Sequence, residues 1–170
     1  MSESTQQQAT PDTIWMTQKT FDRLSGELAD LQGPLRSEII ARISAARDEG
    51  DLKENGGYHA AKDEQGKMEG RIRQLQDQLR HVTTEPAADD DRVSPGKLVT
   101  YRYAGDDETE QFLLGSRDVD DDEPDVEVFS PQSPMGTALL GAAKGETIDF
   151  AAPNGKILKI EIVDAVPFSS

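Results

Sequence analysis

Residues 58–82 read YHAAKDEQGKMEGRIRQLQDQLRHV, and one set of positions in this stretch recurs at alternating steps of three and four residues. The set comprises Tyr58, Ala61, Gln65, Met68, Ile72, Leu75, Leu79 and Val82. A mean repeat of about 3.5 residues keeps these side chains in one narrow stripe, which is how a helix packs against a second helix. The stretch therefore predicts one arm of a coiled coil.

The preceding segment carries a similar stripe and predicts the other arm. Its members recur at steps of three or four residues: Leu24, Leu28, Leu31, Leu35, Ile39 and Ile43. Thr17 stands where an N-cap residue is expected. Pro34 interrupts the pattern and removes a backbone donor, which costs about 3 kcal/mol inside a helix, so we expect a bend or a local compensation there.

A short polar stretch at 48–57 joins the two arms, and connections of this length make neighbouring helices antiparallel. We therefore predict a helical hairpin over 13–83 with its tip at 48–57. Each arm would be roughly 40 Å long at about 1.5 Å per residue. The hairpin could be a dimerising or structural coiled coil, or a finger that projects into solvent, and its periodicity leaves both possibilities open.

Residues 84–94, TEPAADDDRVS, are acidic and lack an apolar pattern, which predicts a linker. Residues 95–168 form a second predicted domain, in which short runs rich in β-branched and aromatic residues indicate strands. These runs are 97–103, 111–115, 126–129, 147–150 and 157–163.

Three further stretches complete the predicted second domain. Asn154-Gly155 is a strong signal for a hairpin turn between the last two strands. Residues 134–143 predict a short helix that covers one face of the sheet, and 118–125 predict a solvated loop. The expected class is therefore α+β, with a helical hairpin before a small sheet domain.

Composition excludes several kinds of function. The chain has 33 acidic and 18 basic residues and a net charge of -15, which argues against a broad grip on a nucleic-acid backbone. It has no cysteine, so disulfides and thiolate zinc sites are excluded. Residues 1–12 are polar and predict a disordered lead. No apolar run approaches a membrane span, so we expect a cytoplasmic protein without a membrane partner.

The predicted tip carries two carboxylates, Asp51 and Glu54, at a spacing that can point both side chains the same way. They could share one divalent ion. Mg²⁺ prefers about six oxygen ligands, so two exposed carboxylates hold it only weakly without further ligands. Acidic residues beside glycine and asparagine are equally typical of a solvated turn, and the spacing alone does not separate these alternatives.

Two longer motifs resemble a known family. Residues 49–65, EGDLKENGGYHAAKDEQ, closely resemble the tip signature of the GreA/GreB transcript-cleavage factors, an acidic turn of the form GDL-x-EN followed by YH-x-A. Residues 130–146, SPQSPMGTALLGAAKGE, resemble the second landmark of that family. The resemblance implies an N-terminal antiparallel coiled coil followed by a C-terminal FKBP-like α+β domain.

The same resemblance implies a function. Such a factor enters the secondary channel of RNA polymerase as a monomer and stimulates the polymerase's own cleavage of a backtracked RNA 3′ end, without being an enzyme itself. Asp51 and Glu54 match the two acids that share Mg²⁺ with the polymerase. Candidate contacts to RNA or the channel are Arg47, Lys53, Tyr58 and Lys62, and candidate docking residues on the polymerase rim are Ser133, Pro134, an exposed Met135 and Gly136.

Some features depart from the family pattern or admit another interpretation. Gly56-Gly57 stands where many relatives have Ala-Glu, so we expect the second arm to begin only at Tyr58. Tyr58 itself could stack on a base or pack in the stripe, and His59 should be exposed and not a base. The alternative functions are a channel-binding antagonist without cleavage activity and, from another class, a prolyl isomerase or coiled-coil chaperone.

Overall fold

The computed structural model describes residues 13–50 and 55–169, which fall into two compact units. One unit, Phe21–His81, is a helical hairpin. The other contains a five-stranded sheet and comprises the described residues up to Thr20 and from Val82 onward. The predicted α+β class is confirmed. The hairpin was predicted to start at residue 13, whereas 13–20 belong to the sheet unit; the disorder predicted for 1–12 lies outside the described residues.

Three helices and one π-helical turn make the arms of the hairpin. Helix α1 spans Gln18–Asp30, α2 spans Arg36–Asp48 and α3 spans Gly56–Arg80. The π-helical turn Leu31–Leu35 joins α1 to α2 and contains Pro34. A π turn inserts one extra residue into a helix, so it accommodates the missing proline donor without ending the arm. The local compensation predicted at Pro34 is therefore this π-helical turn.

The N-cap predicted at Thr17 is present at the start of α1. The Thr17 hydroxyl oxygen accepts a hydrogen bond from the backbone N–H of Thr20 at 3.1 Å. Thr20 in turn donates its own hydroxyl to an oxygen of Asp122 at 2.7 Å. This cap satisfies one of the backbone donors that a helix start leaves without a partner.

Buried stripe residues hold α2 against α3. Ile39, Ile43 and Ala61 form a buried cluster, and Tyr58 and Met68 pack against it. Three ion pairs cross the hairpin: Arg36–Glu69, Arg42–Glu64 and Arg71–Glu27, at 2.7 to 2.9 Å. All three are partly solvent-exposed, so each contributes at most about 1 kcal/mol and mainly specifies which residues face each other.

The sheet of the second unit has the strand order β5-β4-β3-β7-β6. Its strands are β3 Lys97–Tyr103, β4 Glu110–Leu114, β5 Val128–Phe129, β6 Thr147–Ala151 and β7 Ile157–Pro167. Neighbours run antiparallel except β4 and β5, which are parallel. As predicted, a turn at Asn154-Gly155 joins β6 to β7, and Gly155 has a φ of +84° that favours glycine.

The core of this unit lies between the sheet and the short helix α4, Pro134–Leu139. Its buried members come from the central strands, the helix and the segments beside them: Val93, Val99, Tyr101, Phe112, Leu114, Met135, Leu139, Ala142, Phe150, Ile160, Ile162 and Ala165. A helix was predicted at 134–143; the observed helix is shorter because the chain turns at Gly141, where φ is +83°.

A two-stranded parallel pair ties the N-terminal segment to the sheet unit. Strand β1, Ile14–Trp15, pairs with β2, Val82–Thr83. Trp15 is buried, and its indole Nε1 donates to the backbone oxygen of Glu85 at 2.8 Å. The indole fits only because Gly96 and Gly115 lack side chains, since a Cβ on either glycine would lie 2.8 Å from a ring atom.

The predicted linker 84–94 is partly integrated into the sheet unit. Val93 is buried and exchanges backbone hydrogen bonds with Gly141 and Ala142, each 2.8 Å. Lys97 is 0% exposed, and its ammonium donates to the carboxylate of Asp90 at 3.0 Å and to the Asp90 backbone oxygen. A buried ammonium requires such partners, which is why this acidic segment is held in place.

The structure at 118–125 also differs from the solvated loop that was predicted there. Residues Arg117–Asp121 form a 3₁₀ turn, and Val119 is buried. The Ser116 hydroxyl caps this turn by accepting from the backbone N–H of Asp118 at 3.3 Å. One valine within a run of acids therefore anchors the segment, although the charge pattern suggested a solvated loop.

Replacing Gly115 with Ala should destabilise the sheet unit, because the new Cβ would overlap the indole of Trp15. We expect a loss of about 2 kcal/mol in the free energy of unfolding. Urea titration followed by the fluorescence of Trp15, the sole tryptophan, measures it. As a control, Gly66→Ala in α3 meets no atom within 4 Å and should be neutral or stabilise the hairpin. Equal stability of Gly115→Ala and wild type would contradict the packing argument.

Asp90→Asn should change how stability depends on pH. The hydrogen bond from Lys97 holds the pKa of the Asp90 carboxyl below its ordinary value of 3.8. The stabilisation from this carboxylate is therefore present above about pH 4 and is lost as pH falls through the lowered pKa of the folded state. Melting temperatures from pH 2 to 7 should fall more steeply in acid for wild type than for Asp90→Asn. Parallel curves would exclude this role for Asp90.

Candidate functional site

The candidate site is the end of the hairpin, where α2 stops at Asp48 and α3 starts at Gly56. Residues 51–54 lie outside the described residues, so the predicted site residues Asp51, Lys53 and Glu54 are not among those the structure describes. The structure does describe both ends that this segment joins, Gly50 and Asn55. The geometry of these ends determines where the acidic segment starts and finishes.

The α2 side ends in a backbone conformation that requires glycine. The backbone N–H of Glu49 donates to the oxygen of Ala46 at 3.2 Å, which closes the last turn. Gly50 then has a φ of +150°, a conformation that residues with a side chain rarely adopt. Glycine is therefore favoured at this position, directly before Asp51 in the sequence.

The α3 side begins with an asparagine cap. Asn55 has an extended backbone, and its Oδ1 accepts from the backbone N–H of Tyr58 at 3.0 Å. Its Nδ2 donates to the backbone oxygen of Ala46 at the end of α2. The same side chain thus caps one helix and bonds to the other.

Because of this cap, α3 starts at Gly56 and not at Tyr58, so that prediction was wrong. The loss of helix stability that glycine causes applies to the interior of a helix. Gly56 and Gly57 instead occupy the first two helical positions, where backbone N–H groups have no intrahelical acceptor and an N-cap side chain compensates.

Tyr58 and His59 follow the two glycines in the first turn of α3. Tyr58 is partly buried and packs against the cluster of Ile39, Ile43 and Ala61, in agreement with the packing interpretation. The rings of Tyr58 and His59 meet edge to face, with centroids 5.6 Å apart. His59 is exposed, as expected. A role for Tyr58 in stacking on a base stays a prediction.

Two predicted contact residues, Arg47 and Lys62, lie on opposite helices and line one shallow groove of about 310 Å³. Ile40, 52% exposed, contributes an apolar surface to the same groove. Lys62 donates to the side chain of Gln65 at 3.2 Å. Neither cation has an ion-pair partner within residues 13–50 and 55–169, whereas Arg42 on the same arm is paired. Both side chains are exposed.

The predicted docking residues fall into two groups. Ser133 caps α4: its hydroxyl accepts from the backbone N–H of Gly136 at 3.0 Å and donates to the backbone oxygen of Ser130 at 2.6 Å. Pro134 follows in the first turn of the helix. Met135 is only 8% exposed and belongs to the core, so the expectation of an exposed methionine was wrong. Gly136 is buried too, and a Cβ there would lie 2.1 Å from the Ser130 oxygen.

Ser133 and Pro134 do line a surface cleft of about 530 Å³. The other lining residues are Arg117, Asp120, Glu127, Val128, Phe129, Ser130 and Gln132. Sequence reasoning missed Arg117, Glu127 and Phe129 as cleft residues, because their position beside Ser133 depends on tertiary structure, including the parallel pairing of β5 with β4, which the predicted strand at 126–129 does not specify. The cleft combines an aromatic surface with charges of both signs, which suits a protein partner.

Three aromatic residues of the sheet unit belong to its core and not to a surface pocket. Tyr101, Phe112 and Phe150 are buried in the core. The Tyr101 hydroxyl donates to Glu110 at 2.7 Å, and burial followed by this bond raises the pKa of Tyr101 above its ordinary value. These side chains stabilise the domain, so the prolyl-isomerase alternative gains no support from them.

Over the part of the chain that the structure describes, no group of three or more histidine, aspartate or glutamate side chains could hold a metal ion. In the same residues, no helix is both long enough and apolar enough to cross a membrane.

Comparison with known proteins matches both halves of the chain to one family. The family model "Transcription elongation factor, N-terminal" matches residues 14–83, and "Transcription elongation factor, GreA/GreB, C-term" matches residues 88–166. The first matched region contains the motif at 49–65, and the second contains the motif at 130–146.

Individual relatives align over nearly their whole length. Transcription elongation factor GreA of Saccharopolyspora erythraea is 51% identical over 156 residues, covering 91% of this chain and 95% of that protein. Its counterpart in Mycobacterium tuberculosis is 44% identical over 158 residues, covering 92% and 96%. Among solved structures, GreA factor homolog 1 of Thermus thermophilus is 23% identical, covering 90% and 98%, with a TM-score of 0.40.

Proposed function

The chain belongs to the GreA/GreB family of transcription elongation factors, and we propose that it stimulates RNA polymerase to cleave backtracked RNA. In this proposal the helical hairpin enters the secondary channel of the polymerase as a monomer, and its tip meets the extruded RNA 3′ end. The observation that carries the proposal is the capped hairpin end: Gly50 and Asn55 lie at the ends of two packed helices and flank, in the sequence, the segment 51–54 that contains both acids.

The two acids suit a shared metal site. Carboxylate oxygens are the ligands that Mg²⁺ prefers, but two side chains supply fewer than about six ligands, so Asp51 and Glu54 would hold the ion only together with groups of the polymerase. An ion held in this way would supply activation of the attacking water and would offset negative charge on the phosphate. The chain itself is then a cofactor of the polymerase and not a nuclease.

The groove behind the tip fits an anionic partner. Arg47 and Lys62 present two cations on one face of the hairpin, on a chain whose net charge is -15. Concentrating positive charge at this point favours RNA phosphates or acidic channel walls near the tip while the rest of the surface avoids nucleic acid. Lys53, by its position in the sequence, would add a third cation, and Tyr58 mainly supports the helices.

The sheet unit would dock on the rim of the channel. The cleft beside Ser133 and Pro134 offers Phe129 as an apolar contact and Arg117 with Glu127 as charged contacts. Met135 and Gly136 would act indirectly, because the buried methionine and the missing side chain fix the backbone that carries Ser133.

Replacing both acids, Asp51→Ala with Glu54→Ala, should abolish stimulated cleavage while binding persists. Losing the shared ligands removes several kcal/mol of transition-state stabilisation, so we expect the rate to fall roughly 100-fold or more. RNA lengths are resolved on a gel after the protein is added to stalled, backtracked complexes with Mg²⁺, and binding is measured separately by competition with labelled wild type. Binding without cleavage by wild type itself would instead identify a channel-binding antagonist.

Replacing the two groove cations, Arg47→Ala with Lys62→Ala, should weaken binding to the backtracked complex about tenfold. If both contact phosphates, the dependence of log affinity on log salt should also become shallower by about 1 to 2. Titrations at several salt concentrations measure both effects. Lys67→Ala removes an exposed charge from α3 outside the groove and should bind like wild type. An unchanged salt slope in the double variant would rule out phosphate contacts.

A further inference from the structure

The first arm of the hairpin contains one residue more than a regular α-helix of five turns. Leu24 and Ile43 begin and end the apolar stripe of this arm, and both are buried. Ile43 lies nineteen positions after Leu24, whereas five turns of α-helix at about 3.6 residues per turn contain about 18. In a regular α-helix, the position five turns after Leu24 would be Arg42, which is exposed in the structure.

The π-helical turn Leu31–Leu35 takes up the extra residue, because a π turn bonds residues five apart and not four. Leu35, four positions after Leu31, was predicted to continue the stripe but is 41% exposed, so that prediction was wrong. Arg36, five positions after Leu31, is partly buried instead. Its guanidinium donates two hydrogen bonds to the carboxylate of Glu69 on α3, at 2.9 and 2.8 Å. The step of five residues thus turns Leu35 outward and Arg36 toward the facing helix.

Beyond this turn, α2 has the rotation that its packing against α3 requires. Ile39 and Ile43 pack against Ala61. One residue of an α-helix corresponds to a rotation of about 100° about the helix axis. If residues 31–35 were regular α-helix, α2 would be rotated by this angle relative to α3. The charged residue Arg42 would then replace Ile43 at the packed face, and the buried cluster could not form.

We infer that the π-helical turn Leu31–Leu35 is a positioning element for the groove of Arg47 and Lys62. It sets the rotation of α2 at which Arg47, four positions after Ile43, lines that groove together with Lys62. This inference rests on the proposed function, in which the groove meets an anionic partner. The extra residue is the cause of the turn, and Pro34 marks where it is accommodated, because proline lacks the donor that a regular α-helix needs.

Three variants separate the length of the arm from the proline. Deletion of Pro34 removes the extra residue, so five regular turns would connect Leu24 to Ile43 and the groove should be unchanged. Pro34→Ala keeps the extra residue, so the π turn and the groove should persist. Deletion of Ala45 is the matched control. It removes one exposed residue from the same arm, beyond the packed cluster, and should therefore rotate Arg47 by about 100° out of the groove.

The rotation is measured on the full chain without polymerase. Arg47→Cys with Lys62→Cys provides two spin-label positions in a chain that has no cysteine, and pulsed electron paramagnetic resonance gives the distance between the labels. We expect an unchanged distance after deletion of Pro34 and in Pro34→Ala. Deletion of Ala45 should shift the distance by about 3 Å or more, because the rotation moves a Cα atom that far. Circular dichroism measures the helix content of each variant.

Binding of the unlabelled proteins to backtracked polymerase complexes tests the functional consequence. Deletion of Pro34 should leave the affinity and its salt dependence as in wild type. Deletion of Ala45 should weaken binding severalfold, and the dependence of log affinity on log salt should become shallower by about 1, because one cation leaves the groove.

Four results would overturn the inference. These are an equal shift of the label distance after both deletions, a loss of helix content after deletion of Pro34, a shifted distance in Pro34→Ala, and wild-type binding after deletion of Ala45 despite a shifted distance. Failure of the proposed function would differ from all four, because the wild-type protein would then not bind the backtracked complex while the label distances still followed the expected pattern.

Discussion

The packing of Ile39 and Ile43 against Ala61 is the contact on which the functional end of the protein depends. Ala61 is a small residue on α3, so two branched side chains of α2 approach closely and pack against it. Because the antiparallel helices α2 and α3 are adjacent at Ala46 and Asn55, one asparagine can bond to both of them. The described ends of the tip, Gly50 and Asn55, thus adjoin two helices that the apolar stripe holds together.

The sheet unit is stabilised by different interactions. Trp15 is enclosed beside two glycines, and the buried Lys97 secures the acidic segment through Asp90. Both interactions lie far along the sequence from the groove cations Arg47 and Lys62. Stability and the proposed function thus depend on separate residues, so variants at the tip can alter cleavage without unfolding the domain that we propose docks on the polymerase.

The sequence predicted the elements whose signal is local and periodic. The stripe at 58–82 specified α3, and alternating β-branched runs specified the central strands, since helix and strand periods differ. It did not predict the parallel pair of β1 and β2, which is only two residues long, or the burial of Met135, which depends on sheet residues distant in sequence. For the site, motif resemblance is the basis on which Asp51 and Glu54 are proposed, whereas the two hydrogen bonds of Asn55 required the structure, because capping chemistry alone does not reveal the bond to Ala46.

The central claim is that the hairpin tip, and not the sheet unit, reaches the RNA 3′ end. The chain has no cysteine, so Leu52→Cys provides a single attachment point for a photoreactive crosslinker at the tip. Ile157→Cys provides the same at a 69% exposed position of the sheet unit. Crosslinking to the 3′ nucleotides of a backtracked RNA should occur from position 52 and not from position 157. Crosslinking from position 157 alone, or from neither position while the protein is bound, would contradict the account.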